Sequence, residues 1–271
     1  MYDLRGKTAL VTGASAGIGR ELARVLARDV ATLILVARRR ERLDELAAEL
    51  TSKRVDLRVL VEPVDLLDRH ATGVLLDELE KRGEHVDVLV NNAGFGDYGL
   101  LHEREWSKIE RMLELNVVSA TFLLSRLVPR MVARKSGAVL NVGSIAGLIP
   151  SPAMAAYSAT KAYMNYLSET MTAELTGTGV TLTVVCPGPI ATEFQEVAGA
   201  NEGIERPPMP AAMHIDAVKC AEEAIGAMVK GRARVIPGFV PRVMATVTDS
   251  LPRAFVRPII ANVVRKLRGS R

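Results

Sequence analysis

Tyr157 and Lys161 stand four residues apart in Tyr157-Ser158-Ala159-Thr160-Lys161, at the start of a segment with helical periodicity that runs to about Glu174. This spacing sets a phenol and an ammonium on one helix face, with Cβ atoms roughly 6 Å apart. A phenol with a reference pKa of about 10 is a poor proton exchanger at neutral pH, and a cation beside it is expected to draw that pKa toward the working range. So tuned, Tyr157 can give a proton to a substrate oxygen or take one from it. Ser144 follows the short apolar run Ala138 to Val142, and its hydroxyl can hydrogen-bond a carbonyl oxygen that gains charge in a transition state. Asn116 is an amide within an apolar-periodic stretch that starts near Glu103. An ordinary buried, satisfied asparagine is the plain alternative there.

A second kind of chemistry lies near the N-terminus, in Thr12-Gly13-Ala14-Ser15-Ala16-Gly17-Ile18-Gly19. Between a strand and a helix, such a turn directs backbone N–H groups and the positive helix end at a ligand, which suits a pyrophosphate. The glycine spacing is G-x3-G-x-G rather than the general G-x-G-x-x-G, so by itself it is a weak signal. About 20 residues on, where an acid would grip the ribose 2′-hydroxyl of NAD, the chain has Ala37 followed by Arg38-Arg39-Arg40. A missing carboxylate and available guanidinium groups favour a 2′-phosphate, hence NADP(H) over NAD(H). Arg38 is the expected phosphate ligand, and Arg39 and Arg40 read as a solvated helix start.

The elements that must carry these residues alternate. Thr8 to Thr12, Thr32 to Ala37, Asp56 to Val61, Val86 to Val90, Ala138 to Val142 and Val180 to Val185 are strand-like, and longer helical patterns such as Gly17 to Arg28, Arg40 to Leu50 and Leu66 to Lys81 follow the earlier ones. Strands alternating with helices predict an α/β fold, a doubly wound parallel sheet of Rossmann-like type. Ser144 and the run Asn91-Asn92-Ala93-Gly94 then fall at strand carboxyl ends, the edge where ligands bind in such sheets. One catalytic domain is expected over residues 1–240, with a substrate lid at 193–213 and a basic, proline-broken extension at 241–271.

In these motifs the chain resembles the short-chain dehydrogenases/reductases, in their short single-domain branch. The matching pieces are Thr12-Gly13-x3-Gly17-x-Gly19, Asp65 after the third strand, Asn91-Asn92-Ala93-Gly94, Asn116, Ser144, Tyr157-x3-Lys161, and Pro187-Gly188 followed by Thr192, in the family's order across residues 5 to 192. The resemblance implies that Tyr157 is the general acid/base, Ser144 the carbonyl-orienting hydroxyl, and Lys161 the group that holds the nicotinamide ribose and tunes Tyr157. It implies that Asn116 supports a proton-relay water. Asp65 and Leu66 would meet the adenine, while Asn92, Ala93 and Gly94 would line the cofactor cleft. Gly13, Ser15, Gly17, Ile18 and Gly19 would take the phosphates; Pro187, Gly188, Ile190 and Thr192 would secure the nicotinamide end. Ala16 departs from NADP-preferring members that carry a basic residue just before the second glycine, which leaves Arg38 most of the 2′-phosphate recognition. The resemblance also implies a homodimer or homotetramer built on helices around Glu103 to Arg130 and Ala155 to Glu174.

Composition bounds the remaining readings. With 271 residues, 48% hydrophobic and 24% charged, the chain can bury a large core, which excludes a disordered protein. Cys186 and Cys220 form no disulfide framework, the four histidines have no metal-ligand spacing, and the N-terminus has no signal-peptide pattern. A cytoplasmic protein without a metal is therefore expected. The apolar runs are strand-length, and no spanning helix is expected. Residues 232–271 hold nine Lys or Arg and one acid, a net +8, so the formal +4 of the whole leaves −4 for residues 1–231. No nucleic-acid face is expected on that mildly acidic body. In the tail, Val243, Met244, Leu251, Phe255, Ile259, Ile260, Val263 and Val264 mix with arginines, which suggests a membrane-surface or substrate-covering element, the plain alternative being a surface helix pair packed on the domain or against another subunit. Trp106 and the methionines read as core or interface. Phe194, Val197, Ile204, Met209 and Met213 in the lid predict an apolar ketone, aldehyde or secondary alcohol as substrate. The alternatives are a catalytically silent NADP(H)-binding sensor or scaffold and, with less support, an epimerase or dehydratase of the family's extended branch.

Overall fold

The computed structural model of the chain describes residues 1–190, 193–194, 198, 213–250, 258, 262 and 265. Its seven strands are β1 (Thr8–Thr12), β2 (Thr32–Ala37), β3 (Arg58–Pro63), β4 (Val88–Asn91), β5 (Gly137–Val142), β6 (Val180–Val185) and β7 (Arg234–Val235). They pair in parallel in the order β3-β2-β1-β4-β5-β6-β7. The chain leaves β1 toward β2 on one side and returns to β4 on the other, so a crevice opens between β1 and β4 at their carboxyl ends. β2 and β5 are buried at every position, as strands covered by helices on both faces must be.

The helices are α1 (Gly17–Leu26), α2 (Arg40–Lys53), α3 (Arg69–Lys81), α4 (Trp106–Leu113), α5 (Ala120–Ala133), α6 (Ala155–Glu174), α7 (Ala217–Val229) and α8 (Phe239–Ser250). One core joins α1, α2 and α7 to the sheet and a second joins α3 and α5 to its other face. A smaller third core gathers Ile145, Val184, Cys186, Met213, Ile236 and Ala245.

Several boundaries differ from expectation for local reasons. α3 starts at Arg69 rather than Leu66 because Asp65 accepts the Leu67 N–H at 3.1 Å and Asp68 caps the helix by accepting from Ala71 N. β7 is two residues long, too short for a periodic signal. Pro241 does not divide the tail. It sits in the first turn of α8, where its missing N–H costs little. α8 also runs across the expected domain boundary at residue 240 and buries Ala245 in the third core. Pro252 lies outside the described residues. Trp106, expected in a core or interface, is 65% exposed at the start of α4.

A π-helical turn, Glu114–Ser119, joins α4 to α5. The continuous run Trp106–Ala133 is long and apolar enough to cross a bilayer by length and composition. It buries Leu123, Leu124, Leu127, Val128 and Met131 in the second core, which is the behaviour of a core helix.

Candidate active site

The glycine turn between β1 and α1 is shaped by Asn92. Its Nδ2 donates to the carbonyl oxygens of Thr12 at 2.8 Å and Gly13 at 3.4 Å, while Thr12 Oγ1 accepts from the N–H groups of Asn92 and Ala93 at 2.9 and 3.0 Å. A Cβ on Gly19 would come within 2.3 Å of both Asn92 Nδ2 and Gly13 O, so Gly19 is required for packing. Gly13 and Gly17 have φ of 66° and 55°, a region that favours glycine. The N-cap of α1 is Ala16, with no side-chain cap and no acid in the first turn. The first N–H groups of α1 therefore have no side-chain acceptor at that cap, and the positive helix end faces the crevice. This donor set fits the pyrophosphate of a dinucleotide.

α6 presents Tyr157, Lys161, Asn165 and Ser168 along one buried face, at intervals of four, four and three residues. Lys161 Nζ donates to the Val142 carbonyl at the end of β5 at 2.7 Å and lies 5.9 Å from the centre of the Tyr157 ring. Asn165 Nδ2 donates to Ser144 O at 3.0 Å, and Ser144 Oγ accepts from Ala146 N at 3.1 Å. These bonds place the serine beside the tyrosine. Gly143 and Gly147 permit the approach, since a Cβ on either would strike Asn165 or the α6 backbone. Asn165 and Ser168 were missed by sequence reasoning. Their signal was present, as polar residues continuing the Tyr157–Lys161 face.

The electrostatics differ from expectation. Burial pushes the Tyr157 phenol up to about 12, with a hydrogen bond from Ser144 drawing it back. Burial pulls Lys161 down from its ordinary 10.5 to about 8. The expected lowering of the phenol by Lys161 is not found: burial sets the direction, and the lowering contribution comes from Ser144. The low-polarity surroundings oppose both charges, and the ammonium is engaged by a backbone carbonyl.

Asn116 lies in the π turn, which opens the helix at this point. Its Nδ2 donates to Phe95 O at 2.9 Å and Thr160 Oγ1 at 3.1 Å, and its Oδ1 accepts from Phe95 N at 3.1 Å. Both amide hydrogens are engaged, so Asn116 ties the loop after β4 to α6. Asp97 anchors the same loop and was also missed. Burial works against its charge, but Arg104 at 2.6 Å and Lys108 at 2.9 Å hold it below the ordinary carboxylate range.

At the edge of β2, Arg38 is exposed and makes no hydrogen bond or ion pair among the described residues. Arg39, expected to be merely solvated, donates to Ser15 Oγ of the glycine turn at 3.3 Å and to Glu193 at 2.9 Å. Arg42 also reaches Glu193, at 3.1 Å. Of these guanidinium groups, Arg39 is the one bonded to the turn, and Arg42 joins it through Glu193. Asp65 is exposed at the end of β3, and Leu66 is buried with its carbonyl accepting from Ser119 Oγ at 2.6 Å. Ile18 and Ile190 pack on or within the first core. Pro187 O accepts from Ile145 N at 3.1 Å, and a Cβ on Gly188 would meet Met213 O and Pro241. Gly94 lies against Asn116 Oδ1 and Lys161 Nζ. Of the lid residues, Phe194 packs its ring 5.4 Å from that of Tyr157 and Met213 is buried. Thr192, Val197, Ile204 and Met209 lie outside the described residues. Among the described residues no cluster of His, Cys, Asp and Glu could hold a metal ion.

A crevice at the switch point of a doubly wound sheet, an anion-binding helix end and a phenol beside an ammonium together define a nicotinamide-nucleotide oxidoreductase site. The chain belongs to the short-chain dehydrogenase/reductase family, whose model "short chain dehydrogenase" matches residues 7–203. Members are oxidoreductases that act on carbonyl or alcohol groups with NAD(P)(H). A short chain dehydrogenase of Pseudocercospora fijiensis is 36% identical over 197 residues, spanning 71% of this chain and 62% of that relative's length. Among solved structures, a short-chain dehydrogenase from Sphingobium yanoikuyae in complex with NADPH has a TM-score of 0.78 at 31% identity, covering 89% of this chain and 91% of that one. A short chain dehydrogenase/reductase from Burkholderia phymatum in complex with NAD has a TM-score of 0.78 at 25% identity, covering 91% and 93%.

Proposed function

We propose that the chain is an NADP(H)-preferring oxidoreductase that interconverts an apolar ketone or aldehyde and the corresponding alcohol, with Tyr157 as general acid/base. The observation that carries this reading is the convergence of Tyr157, Ser144 and Lys161 at the carboxyl edge of the sheet, beside the uncapped end of α1. When bound, the nicotinamide supplies or accepts the hydride at its C4. Tyr157 Oη gives the proton to the carbonyl oxygen, and Ser144 Oγ–H orients that oxygen and stabilises its growing charge. A phenol raised by burial stays protonated at neutral pH and is ready to donate in the reductive direction. Lys161, fixed by Val142 O, supplies positive charge behind the tyrosine and a donor for a ribose hydroxyl. Asn116 and Asp97 position the loop after β4, and the remaining lone pair of Asn116 Oδ1 can accept from a relay water. Phe194 and Met213 give the substrate side an apolar surface. The test is carbonyl-dependent NADPH oxidation across ketones and aldehydes of graded size. Tight NADPH binding without turnover on any of them would favour the silent sensor instead.

The cofactor preference rests on Arg39 and Arg42 together with Arg38. Arg39→Ala is expected to weaken NADPH binding by about tenfold or more, since a charge-assisted hydrogen bond contributes ~1.5–3 kcal/mol. NADH binding should stay within about twofold, and calorimetric dissociation constants check both. Equal weakening of the two cofactors would remove the basis for NADP preference. Arg38→Ala measured in parallel apportions the recognition.

We also propose a cytoplasmic homo-oligomer whose tail touches anionic membrane surfaces. Exposed Leu101, Trp106, Leu113, Tyr163 and Tyr166 support self-association. Exposed Phe239, Val243, Met244 and Val247 on α8, within the +8 segment 232–271, support the membrane contact. Sedimentation reads the subunit count of the free chain. The full chain should co-sediment with anionic but not neutral vesicles, and a chain lacking residues 251–271, which keeps α8 whole, should bind the anionic vesicles far less. No binding by the full chain would end the membrane proposal.

A further inference from the structure

Glu193 and Phe194 are consecutive residues that reach opposite ends of the crevice. The Glu193 carboxylate gives one oxygen to Arg39 at 2.9 Å and the other to Arg42 at 3.1 Å, and the same Arg39 guanidinium donates to Ser15 in the glycine turn. Phe194 lies against Tyr157 and fills the space above Gly96, where a Cβ would come within 2.6 Å of its ring. Phe194 O accepts from Ala198 N at 3.0 Å, and Ala198 O accepts from Tyr98 N at 2.9 Å. Tyr157 is only 7% exposed in this arrangement.

We propose that Glu193 is a specificity-determining residue that occupies the 2′-phosphate's arginines until a 2′-phosphate displaces it, and that this displacement releases Phe194 from the proton donor. The inference rests on the NADP(H) reading above. A carboxylate carries one charge and two acceptor oxygens. A phosphate monoester carries nearly two charges and three acceptor oxygens, so it competes well for a pair of guanidinium groups. A 2′-hydroxyl cannot, and leaves Glu193 where it is. Both ion pairs are partly exposed, with Arg39, Arg42 and Glu193 side chains at 45%, 42% and 38%. The contacts are therefore weak enough to be exchanged for a ligand. Because Phe194 is covalently next to Glu193, the affinity for the phosphate is coupled to uncovering of Tyr157. The 2′-phosphate would then discriminate cofactors twice, in binding and in opening the substrate side.

Adenosine 2′,5′-bisphosphate and 5′-AMP separate these effects from turnover, since neither carries a nicotinamide. Calorimetry at low ionic strength should show Glu193→Gln binding the bisphosphate about fivefold tighter than the parent, with 5′-AMP within about twofold. Unchanged or weaker bisphosphate binding by Glu193→Gln would overturn the competition. Arg39→Ala in the same titrations distinguishes the two readings. Loss of bisphosphate affinity there with no effect of Glu193→Gln sinks only the proposal about Glu193, whereas no loss in Arg39→Ala, in Arg38→Ala or in the double variant sinks the NADP(H) reading beneath it. For the coupling, a Phe194→Trp reporter in a Trp106→Phe background should change its emission on adding bisphosphate and not on adding 5′-AMP. The same change with both ligands, or with neither, would overturn it.

Discussion

Tyr157→Phe is expected to lower kcat for carbonyl reduction by about 10³-fold, within the ~10²–10⁴ range of a lost general acid. NADPH binding should stay within about threefold of the parent. The phenol is buried, it is hydrogen-bonded by Ser144, and its ring packs on Phe194. Removing one oxygen therefore leaves the packing intact while removing the proton that the nascent alkoxide needs. Stopped-flow measurement of hydride transfer with saturating NADPH checks the rate, and fluorescence titration checks the binding. Near-parental turnover would defeat the assignment of Tyr157, and with it the proposed chemistry. A parallel loss of NADPH affinity would mean that the phenol acts mainly in holding the cofactor.

Lys161→Met is expected to move activity and stability in opposite directions. A fall from 10.5 to about 8 means that at pH 7 the folded chain holds a charge it would better bind in the unfolded state, a difference of ~3 kcal/mol at 1.36 kcal/mol per unit. The group's folded pKa is depressed, so between about pH 8 and 10.5 the unfolded chain binds more protons and the lysine's contribution to stability rises with pH. Below about pH 8 the full cost is present. A methionine removes that cost and fills similar volume, but leaves Val142 O without its donor, which offsets roughly 1 kcal/mol. The net gain of ~1–2 kcal/mol corresponds to a Tm rise of about 2–8 °C at pH 7, shrinking toward pH 10. Activity should drop by at least ~10²-fold as the positive charge behind Tyr157 is lost. In the parent, kcat/KM for reduction should fall above about pH 8 as Lys161 loses its proton. Calorimetric Tm values at pH 7 and 9.5 and the pH profile of the parent check these outcomes. A Lys161→Met chain that is less stable at pH 7 would contradict the burial argument.

These two effects divide along a line that runs through the whole molecule. The sheet, the glycine turn and the Tyr157–Lys161 face were legible in the sequence because each depends on spacing within one strand, turn or helix. An offset of four on a helix gives one face whatever surrounds it, and near-continuous apolar runs such as Thr32–Ala37 become doubly covered strands. The third and fourth members of that face, Asn165 and Ser168, obey the same rule and were readable in principle. β7 and the uninterrupted α8 were not, since a two-residue strand and a proline in a first turn leave no periodic signature.

Ionisation and long-range pairing belonged to the tertiary structure alone. That Tyr157 rises instead of falling depends on how completely the site excludes water, a property of packing rather than of neighbours in the chain. Arg39 finds Glu193 across 154 residues, and nothing local distinguishes it from Arg38 or Arg40. Sequence decided which groups could do chemistry and on which elements they sit. Only the closed fold decided their charge states and which of three adjacent guanidinium groups bonds the glycine turn, because solvent exclusion and contacts between distant segments exist only once the chain has folded.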